Sequence, residues 1–228
     1  EGIKELFENP DFQPDMLKIY PCMVVEGTKL YKQWKKGKFK PLTTIKAAKI
    51  IAKAKEFIPE YIRIMRVQRD IPTYMTAAGV DRTNLRQYVE KQAKKLNIKC
   101  QCIRCREVGR AKLPKKPKIE TIYYNASKGN EFFIQAVDKN NNIYGFCRLR
   151  FPNQQLRKEI SEDSALIREL HVYGQATGIG KKGKIQHKGL GKKLLKKAEE
   201  IAKTYHKKKI IIISGIGVRN YYKKLNYK

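Results

Sequence analysis

A pair of glycines at the start of an amphipathic segment constrains the C-terminal half of this chain more than any other feature. Apolar residues recur at helical spacing from Leu190 to Tyr205, which predicts a helix from Leu190 to about His206. Glycines at such a helix start let backbone N–H groups approach a pyrophosphate, and the helix dipole favours its charge. The motif has the form Q-x-x-G-x-G and consists of Gln186, His187, Lys188, Gly189, Leu190 and Gly191. A plain helix entry is the alternative interpretation.

Two other glycine patterns precede this motif. Residues 178–183 match G-x-G-x-x-G, and with Lys184 they nearly form a Walker A sequence. Ile185 stands where Ser or Thr would bind magnesium, and no helix is predicted to start there. We therefore interpret both matches as accidents of a Gly/Lys-rich loop.

The hydrophobic pattern divides the chain into two α/β parts. The first part has predicted strands at 17–25 and 61–67 and predicted helices at 29–36, from Thr43, and at 82–96. Thr43 and Thr44 are cap candidates for the second helix, whose expected apolar side is Ile45, Ala48, Ile51 and Ala52. It indicates an incomplete α/β barrel or open sheet. After the basic, proline-containing linker at 112–118, strands are predicted at 121–125, 131–137, 143–151, 166–173 and 210–214, with a short helix at 219–225. We expect a first α/β domain at 1–99, a cysteine loop with the basic linker at 100–118, and a second domain at 119–228.

The charge of the chain predicts a polyanionic partner. Among 228 residues, 51 are Lys or Arg and 21 are Asp or Glu, which gives a net charge of +30 spread over both halves. Nucleic acid is the favoured partner; a heat-adapted surface and membrane headgroups are the alternatives. No apolar run approaches the ~20 residues of a membrane span and no signal peptide is visible, so we expect a cytoplasmic protein without membrane association.

Three cysteines lie within six residues and predict a metal site. Cys100, Cys102 and Cys105 follow the pattern C-x-C-x-x-C, which suits tetrahedral zinc with a fourth ligand from elsewhere. Cys22 is the first candidate for that ligand, and His171 or His187 are others. Three free cysteines in a loop are the alternative. The radical-SAM spacing C-x-x-x-C-x-x-C does not occur, and Cys147 is expected in the core.

The Q-x-x-G-x-G loop and its surroundings resemble the acetyl-coenzyme A site of the GNAT N-acetyltransferases. By this resemblance, the backbone of Glu169, Leu170, His171 and Val172 pairs with the pantetheine arm. Tyr221 and Tyr222 take the place of a catalytic tyrosine near the thioester sulfur, with Tyr222 as general acid; simple packing of Tyr222 is the alternative.

Five further strings, at 17–21, 67–72, 102–109, 168–174 and 213–222, resemble the family of the Elongator catalytic subunit. The resemblance implies a radical S-adenosylmethionine (SAM) barrel with a [4Fe-4S] cluster, joined to a GNAT-type α+β domain with a mixed sheet. It further implies modification of the tRNA wobble uridine (U34, in the anticodon) at C5, to carboxymethyluridine, with acetyl-CoA, and association with other Elongator-type subunits or with itself. Protein lysine acetylation, with Glu169 as base, and non-catalytic tRNA binding are the alternatives.

The resemblance also predicts which parts this sequence lacks. It starts after the cluster cysteines of that family and stops before the family's last acetyltransferase strands, so we expect a fragment without the radical step. Candidate phosphate contacts are Lys112, Lys115, Lys116, Lys118, Lys181, Lys182, Lys184 and Lys188. Arg63, Arg66 and Arg69 are candidates for the barrel's active-site end, since barrel chemistry lies at strand C-terminal ends; salt bridges within the domain are the alternative role.

Overall fold

The computed structural model of the chain describes residues 2–108, 117–173 and 189–228. It contains two compact units. Unit 1 comprises Glu1–Asn9 and Pro14–Cys105, and unit 2 comprises Pro10–Gln13 and Arg106–Lys228. Helix α5 (Ile103–Arg106) lies where the chain passes from unit 1 to unit 2.

The described residues of unit 1 form short strands and, ahead of α5, four helices. The helices are α1 (Gly2–Glu8), α2 (Lys29–Lys35), α3 (Thr44–Ala54) and α4 (Leu85–Lys95). Strand β1 (Met16–Lys18) pairs in parallel with β3 (Arg63–Arg66), and β2 (Val24–Val25) pairs antiparallel with β4 (Thr76–Ala78). A 3₁₀ turn at Thr73–Met75 precedes β4. The Thr43 hydroxyl accepts a hydrogen bond from the Lys46 N–H, so Thr43, one of the two cap candidates, is the cap of α3.

Two expectations for unit 1 are wrong in detail. The segment 17–25 is not one strand, because the pairing stops before Pro21, which has no N–H to donate. Ile45 does not belong to the buried side of α3, since its side chain is 52% exposed, whereas Ala48, Ile51 and Ala52 are buried.

Unit 2 is built on a five-stranded mixed sheet in the order β5-β6-β7-β8-β9. Its strands are β5 (Lys118–Ala126), β6 (Gly129–Val137), β7 (Ile143–Phe151), β8 (Ser164–Val172) and β9 (Lys209–Ile212). The first four strands are antiparallel neighbours, and β9 lies parallel to β8. Helix α6 (Leu190–Thr204) connects the parallel pair, and a 3₁₀ turn (Ile216–Val218) and α7 (Arg219–Lys223) follow β9.

One face of this sheet packs against α6. Leu194, Leu195 and Ala198 of the helix are at most 2% exposed and join a core with Ile134, Leu149, Ile167 and other strand residues. Cys147 belongs to the same cluster, which confirms its predicted place in the core. The sheet is therefore fixed against the helix that begins at the glycine motif. In the described part of the chain, no helix has the length and apolarity needed to cross a membrane.

Candidate acetyl-coenzyme A site and cysteine cluster

Strands β8 and β9 separate at the end of the sheet where α6 begins. Their parallel pairing covers Ser164–Ile167 with Lys209–Ile212, and the Ile213 N–H then donates to the Ile167 carbonyl at 2.9 Å. Beyond this point the chain turns away from β8 into the 3₁₀ turn at Ile216–Val218. Among the described residues, no strand lies beside Arg168–Val172 on that edge of β8. This opening has the shape of a site that accepts an extended ligand as an added strand.

Helix α6 begins beside this opening. Its N-cap, Gly189, has φ = 72°, a left-handed conformation that only glycine adopts without strain. Gly191 is in the first turn, where a Cβ would lie 2.7 Å from the Tyr221 hydroxyl and 3.8 Å from Val172 Cγ2. Glycine at 191 therefore allows Tyr221 to approach the helix start. Three features that the GNAT resemblance predicts, the end of β8, the helix start at Gly189–Gly191 and the tyrosine pair, come together at this point.

The tyrosine pair lies partly inside unit 2. Tyr222 packs against the sheet–helix core, together with Leu170, Val172 and Leu190. The Tyr221 and Tyr222 rings meet edge to face, with centroids 5.2 Å apart. Burial raises the pKa of both phenols, and for Tyr222 the neighbouring Cys147 and Tyr221 raise it further. Both hydroxyls are therefore protonated at neutral pH and can act as proton donors.

Glu169 and His171 lie on the other face of the sheet. Glu169 Oε2 accepts a hydrogen bond from Arg148 Nε at 3.0 Å. The Arg148 guanidinium lies over the rings of Phe133 and Phe146, at 5.0 and 5.2 Å from their centroids. His171 is nearly parallel to Phe146, at a centroid distance of 6.0 Å. Side chains at 169 and 171 thus point away from α6, and only their backbone borders the β8–β9 opening.

A second cluster, in unit 1, contains the three predicted cysteines. The sulfur atoms of Cys100, Cys102 and Cys105 all lie within 4.8 Å of one another, as ligands of one metal ion require. Hydrogen bonds from Cys100 and Cys105, with the charge of Lys55 as a further cause, hold the pKa of the Cys102 thiol below its usual range. Cys22 is exposed and is not a member of this group. The donor set fits zinc, with at least one ligand still to be supplied.

A groove of about 610 Å³ in unit 1 lies beyond the end of β3. Arg66 and Arg69, two of the three arginines proposed for the barrel's active-site end, line it together with Arg86 from α4, whereas Arg63 is not among its lining residues. Arg66 forms a salt bridge with Asp70, whereas in the described part of the chain Arg69 has no carboxylate partner. Gln68 shapes the groove: its Nε2 donates to the Arg82 carbonyl at 2.6 Å and its Oε1 accepts from the Leu85 N–H.

Several predicted site residues lie outside the described part of the chain. They are Gln186, His187 and Lys188 of the glycine motif, the competing glycine pattern at 178–183, and all the candidate lysines except Lys118. Sequence reasoning in turn missed Gly145, Arg148, Lys55 and Arg86. Only Gly145 carries a usable signal, because a glycine inside a strand indicates close approach of another backbone.

Comparison with known protein families identifies both parts of the chain. The acetyltransferase (GNAT) family matches residues 103–227, and the Radical_SAM C-terminal domain matches residues 14–95. The chain therefore belongs to the GNAT acetyltransferase family, with a radical-SAM C-terminal domain in front. The predicted fold class, the C-terminal part of a radical-SAM barrel followed by a GNAT domain with a mixed sheet, is confirmed.

Its relatives are named as tRNA uridine(34) acetyltransferases or as Elongator complex protein 3. The chain is 50% identical to "tRNA uridine(34) acetyltransferase" of Methanocaldococcus jannaschii, over 99% of this chain and 44% of the relative. It is 42% identical to "Elongator complex protein 3" of Saccharomyces cerevisiae, over 100% and 43% of the two chains. The solved Methanocaldococcus infernus Elp3 with an N-terminal deletion matches with 45% identity and a TM-score of 0.92, over 99% of this chain and 56% of that one. The predicted resemblance to the Elongator catalytic family is confirmed, and the chain spans less than half the length of these curated relatives.

Proposed function

We propose that this chain is the acetyl-CoA-binding part of a tRNA uridine(34) acetyltransferase that works in the cytoplasm. The observation that carries the proposal is the meeting of the β8 end, the α6 start and Tyr221 at one place, where Gly191 leaves room for the tyrosine. The printed names of three relatives at 40–50% identity supply the substrate, the uridine at position 34 of tRNA. In this proposal the coenzyme binds to the domain at residues 119–228. The barrel part is at residues 1–99, and the metal loop and the linker are at residues 100–118.

The residues of unit 2 have separate roles in this proposal. The backbone of Glu169, Leu170, His171 and Val172 receives the pantetheine arm in the β8–β9 opening. The first turn of α6, at Gly189, Leu190 and Gly191, together with Gln186, His187 and Lys188, receives the pyrophosphate. Bound acetyl-CoA supplies an activated acetyl group on a thioester. Tyr222, which is protonated at neutral pH, holds a proton for the departing sulfur, and Tyr221 orients it through their edge-to-face contact.

The residues assigned here to coenzyme binding and to zinc have no role in the radical step. SAM and a [4Fe-4S] cluster supply hydrogen abstraction when bound, and the radical-SAM family match implies them for the relatives' barrel. The C-x-C-x-x-C spacing of this chain differs from the radical-SAM spacing, and its sulfur atoms fit a single metal ion. We assign Cys100, Cys102 and Cys105 to zinc and derive no radical step through them.

The groove beyond β3 supports tRNA as the acceptor. Arg69 and Arg86 bring positive charge to a depression that also has apolar lining from Met65, Ile71 and Pro72. This combination suits a nucleotide, with its phosphate on the arginines and its base on the apolar lining. Glu169 argues against the alternative of lysine acetylation, because its carboxylate is already bound by the buried Arg148 and is poorly placed to accept a proton.

Isothermal titration of the chain with a desulfo analogue of acetyl-CoA tests the coenzyme site. We expect saturable binding that Gly191→Glu abolishes, since the carboxylate would face the pyrophosphate and displace Tyr221. Thr204→Glu is the matched control, because it also adds one negative charge to α6, at the exposed last residue of the helix. Unchanged binding by Gly191→Glu would refute the assignment of the loop.

A parallel titration with a tRNA transcript tests the acceptor. The proposal expects binding that weakens steeply with salt, because lysine and arginine contacts release counterions from the phosphates. Coenzyme binding without tRNA binding would instead favour a protein or small-molecule acceptor.

A further inference from the structure

One lysine of helix α3's C-terminal end is buried beside the cysteine cluster. Lys46, Lys49 and Lys53 of α3 are exposed to solvent, whereas Lys55, its C-cap, is only 2% exposed. Lys55 Nζ lies 3.4 Å from Cys105 Sγ and is placed to donate a hydrogen bond to it. In the described part of the chain, no carboxylate pairs with Lys55. A buried ammonium group needs a counter-charge, and here only sulfur is at hand.

We propose that Lys55 is the counter-cation and positioning residue of the cysteine metal site. Three thiolates and one zinc ion carry a net charge of −1. With a neutral fourth ligand, the ammonium group of Lys55 brings the net charge of the site to zero. Its N–H donor also fixes the orientation of the Cys105 sulfur, as hydrogen-bonding partners of metal ligands commonly do. This inference rests on the proposed zinc site and adds the residue that balances its charge.

The proposal explains why a lysine occurs at this position of unit 1. The neighbouring buried residues of α3 and the following turn, among them Ala52, Ala54 and Ile58, are apolar. A purely structural role in such surroundings is filled better by Leu or Met, which carry no desolvation cost. A lysine is favoured only when a negative charge is present on the cysteines.

The test compares four proteins: the unchanged chain, Lys55→Met, Lys55→Arg and Lys53→Met. Zinc affinity is measured with Zn²⁺ alone, by competition with a chromophoric chelator, and cobalt substitution reports the thiolate-to-metal charge-transfer band. We expect Lys55→Met to weaken zinc binding by about 10–100-fold, the usual cost of losing a partner of a metal ligand. Lys55→Arg should keep most of the affinity, and Lys53→Met, an exposed control on the same helix, should keep all of it.

The stability of the metal-free chain gives a second readout, which should not fall when the zinc affinity falls. Because Lys55→Met removes a buried charge, it should leave the metal-free chain as stable or make it more stable, while it weakens the metal site. If Lys55→Met does not fold, the zinc affinities of Lys55→Gln and Lys55→Arg are compared instead. This pair also contrasts a neutral with a charged polar side chain at position 55.

Two results would overturn the proposal. If a folded Lys55→Met or Lys55→Gln protein binds zinc as tightly as the unchanged chain, Lys55 is not the counter-cation although the zinc site stands. If the unchanged chain itself binds no zinc, the zinc site and the role of Lys55 both fall.

Discussion

Gly145 is the position in unit 2 where a single methyl group should disturb both the fold and the coenzyme site. It lies in β7 opposite Val172, the last residue of β8. A Cβ at 145 would be 2.7 Å from the His171 carbonyl oxygen, 3.2 Å from Val172 Cα and 3.4 Å from Leu194 Cδ1. Two of these three atoms are backbone, so they cannot move away by a change of rotamer. Gly145→Ala must therefore push the end of β8 away from β7.

The expected cost follows from this crowding. Overpacking a well-filled core costs about 1–3 kcal/mol, and the upper part of this range applies because backbone has to move. The displaced segment, Glu169–Val172, is the one proposed to receive the pantetheine arm. We therefore expect Gly145→Ala to lower the free energy of unfolding by about 2–3 kcal/mol and to weaken coenzyme binding as well.

Urea unfolding and titration with the desulfo analogue measure the two effects on one protein. Gly217→Ala is the matched control, since a Cβ there meets nothing within 4 Å and φ is not positive. The control should keep both stability and affinity. If Gly145→Ala is as stable as Gly217→Ala and binds the coenzyme equally well, the close approach of β7 and β8 and the role given to the β8 end are both wrong.

Three further predictions concern the tyrosine pair, the groove and the β6–β7 turn. Tyr222→Phe should keep the affinity for the coenzyme analogue but slow release of CoA from acetyl-CoA by about 100-fold or more; an unchanged rate would leave Tyr222 with a packing role only. Changing Arg69 and Arg86 together to Ala should weaken RNA binding and lower its salt slope by about two, whereas Arg82→Ala, outside the groove, should do neither. Burial acts to raise the pKa of Asp138, but hydrogen bonds from Asn142, Asn140 and Tyr144 outweigh it and hold that pKa below its ordinary value. A lowered native pKa stabilises the fold above the unfolded pKa of about 4 and loses this contribution as pH falls through the native value, so Asp138→Asn should flatten the acid limb of a stability–pH curve.

The local elements of the chain follow closely from its sequence. The Thr43 cap, strand β7 and the amphipathic helix α6 are all predicted by short-range patterns, because capping, alternation and helical spacing depend on neighbours within a few residues. The separation of β1 from β2 is not predicted by such patterns, since the continuous apolar run at 17–25 hides the effect of Pro21. The exposure of Ile45 shows the same limit: hydrophobicity alone does not tell which side of a helix faces the core.

The sequence by itself also determined the chemistry available at each site: three thiols at metal-ligand spacing, glycines at the start of a helix, and two tyrosines after the last strand. Only the tertiary structure decided which groups meet. It places the Tyr221 hydroxyl against Gly191, binds Glu169 to Arg148, and buries Lys55 beside Cys105. The Arg148–Glu169 pair joins residues 21 positions apart in the sequence, and the Lys55–Cys105 pair joins residues 50 positions apart. They depend on how the sheet and helices pack in each unit, and no local pattern of charge or hydrophobicity records that packing.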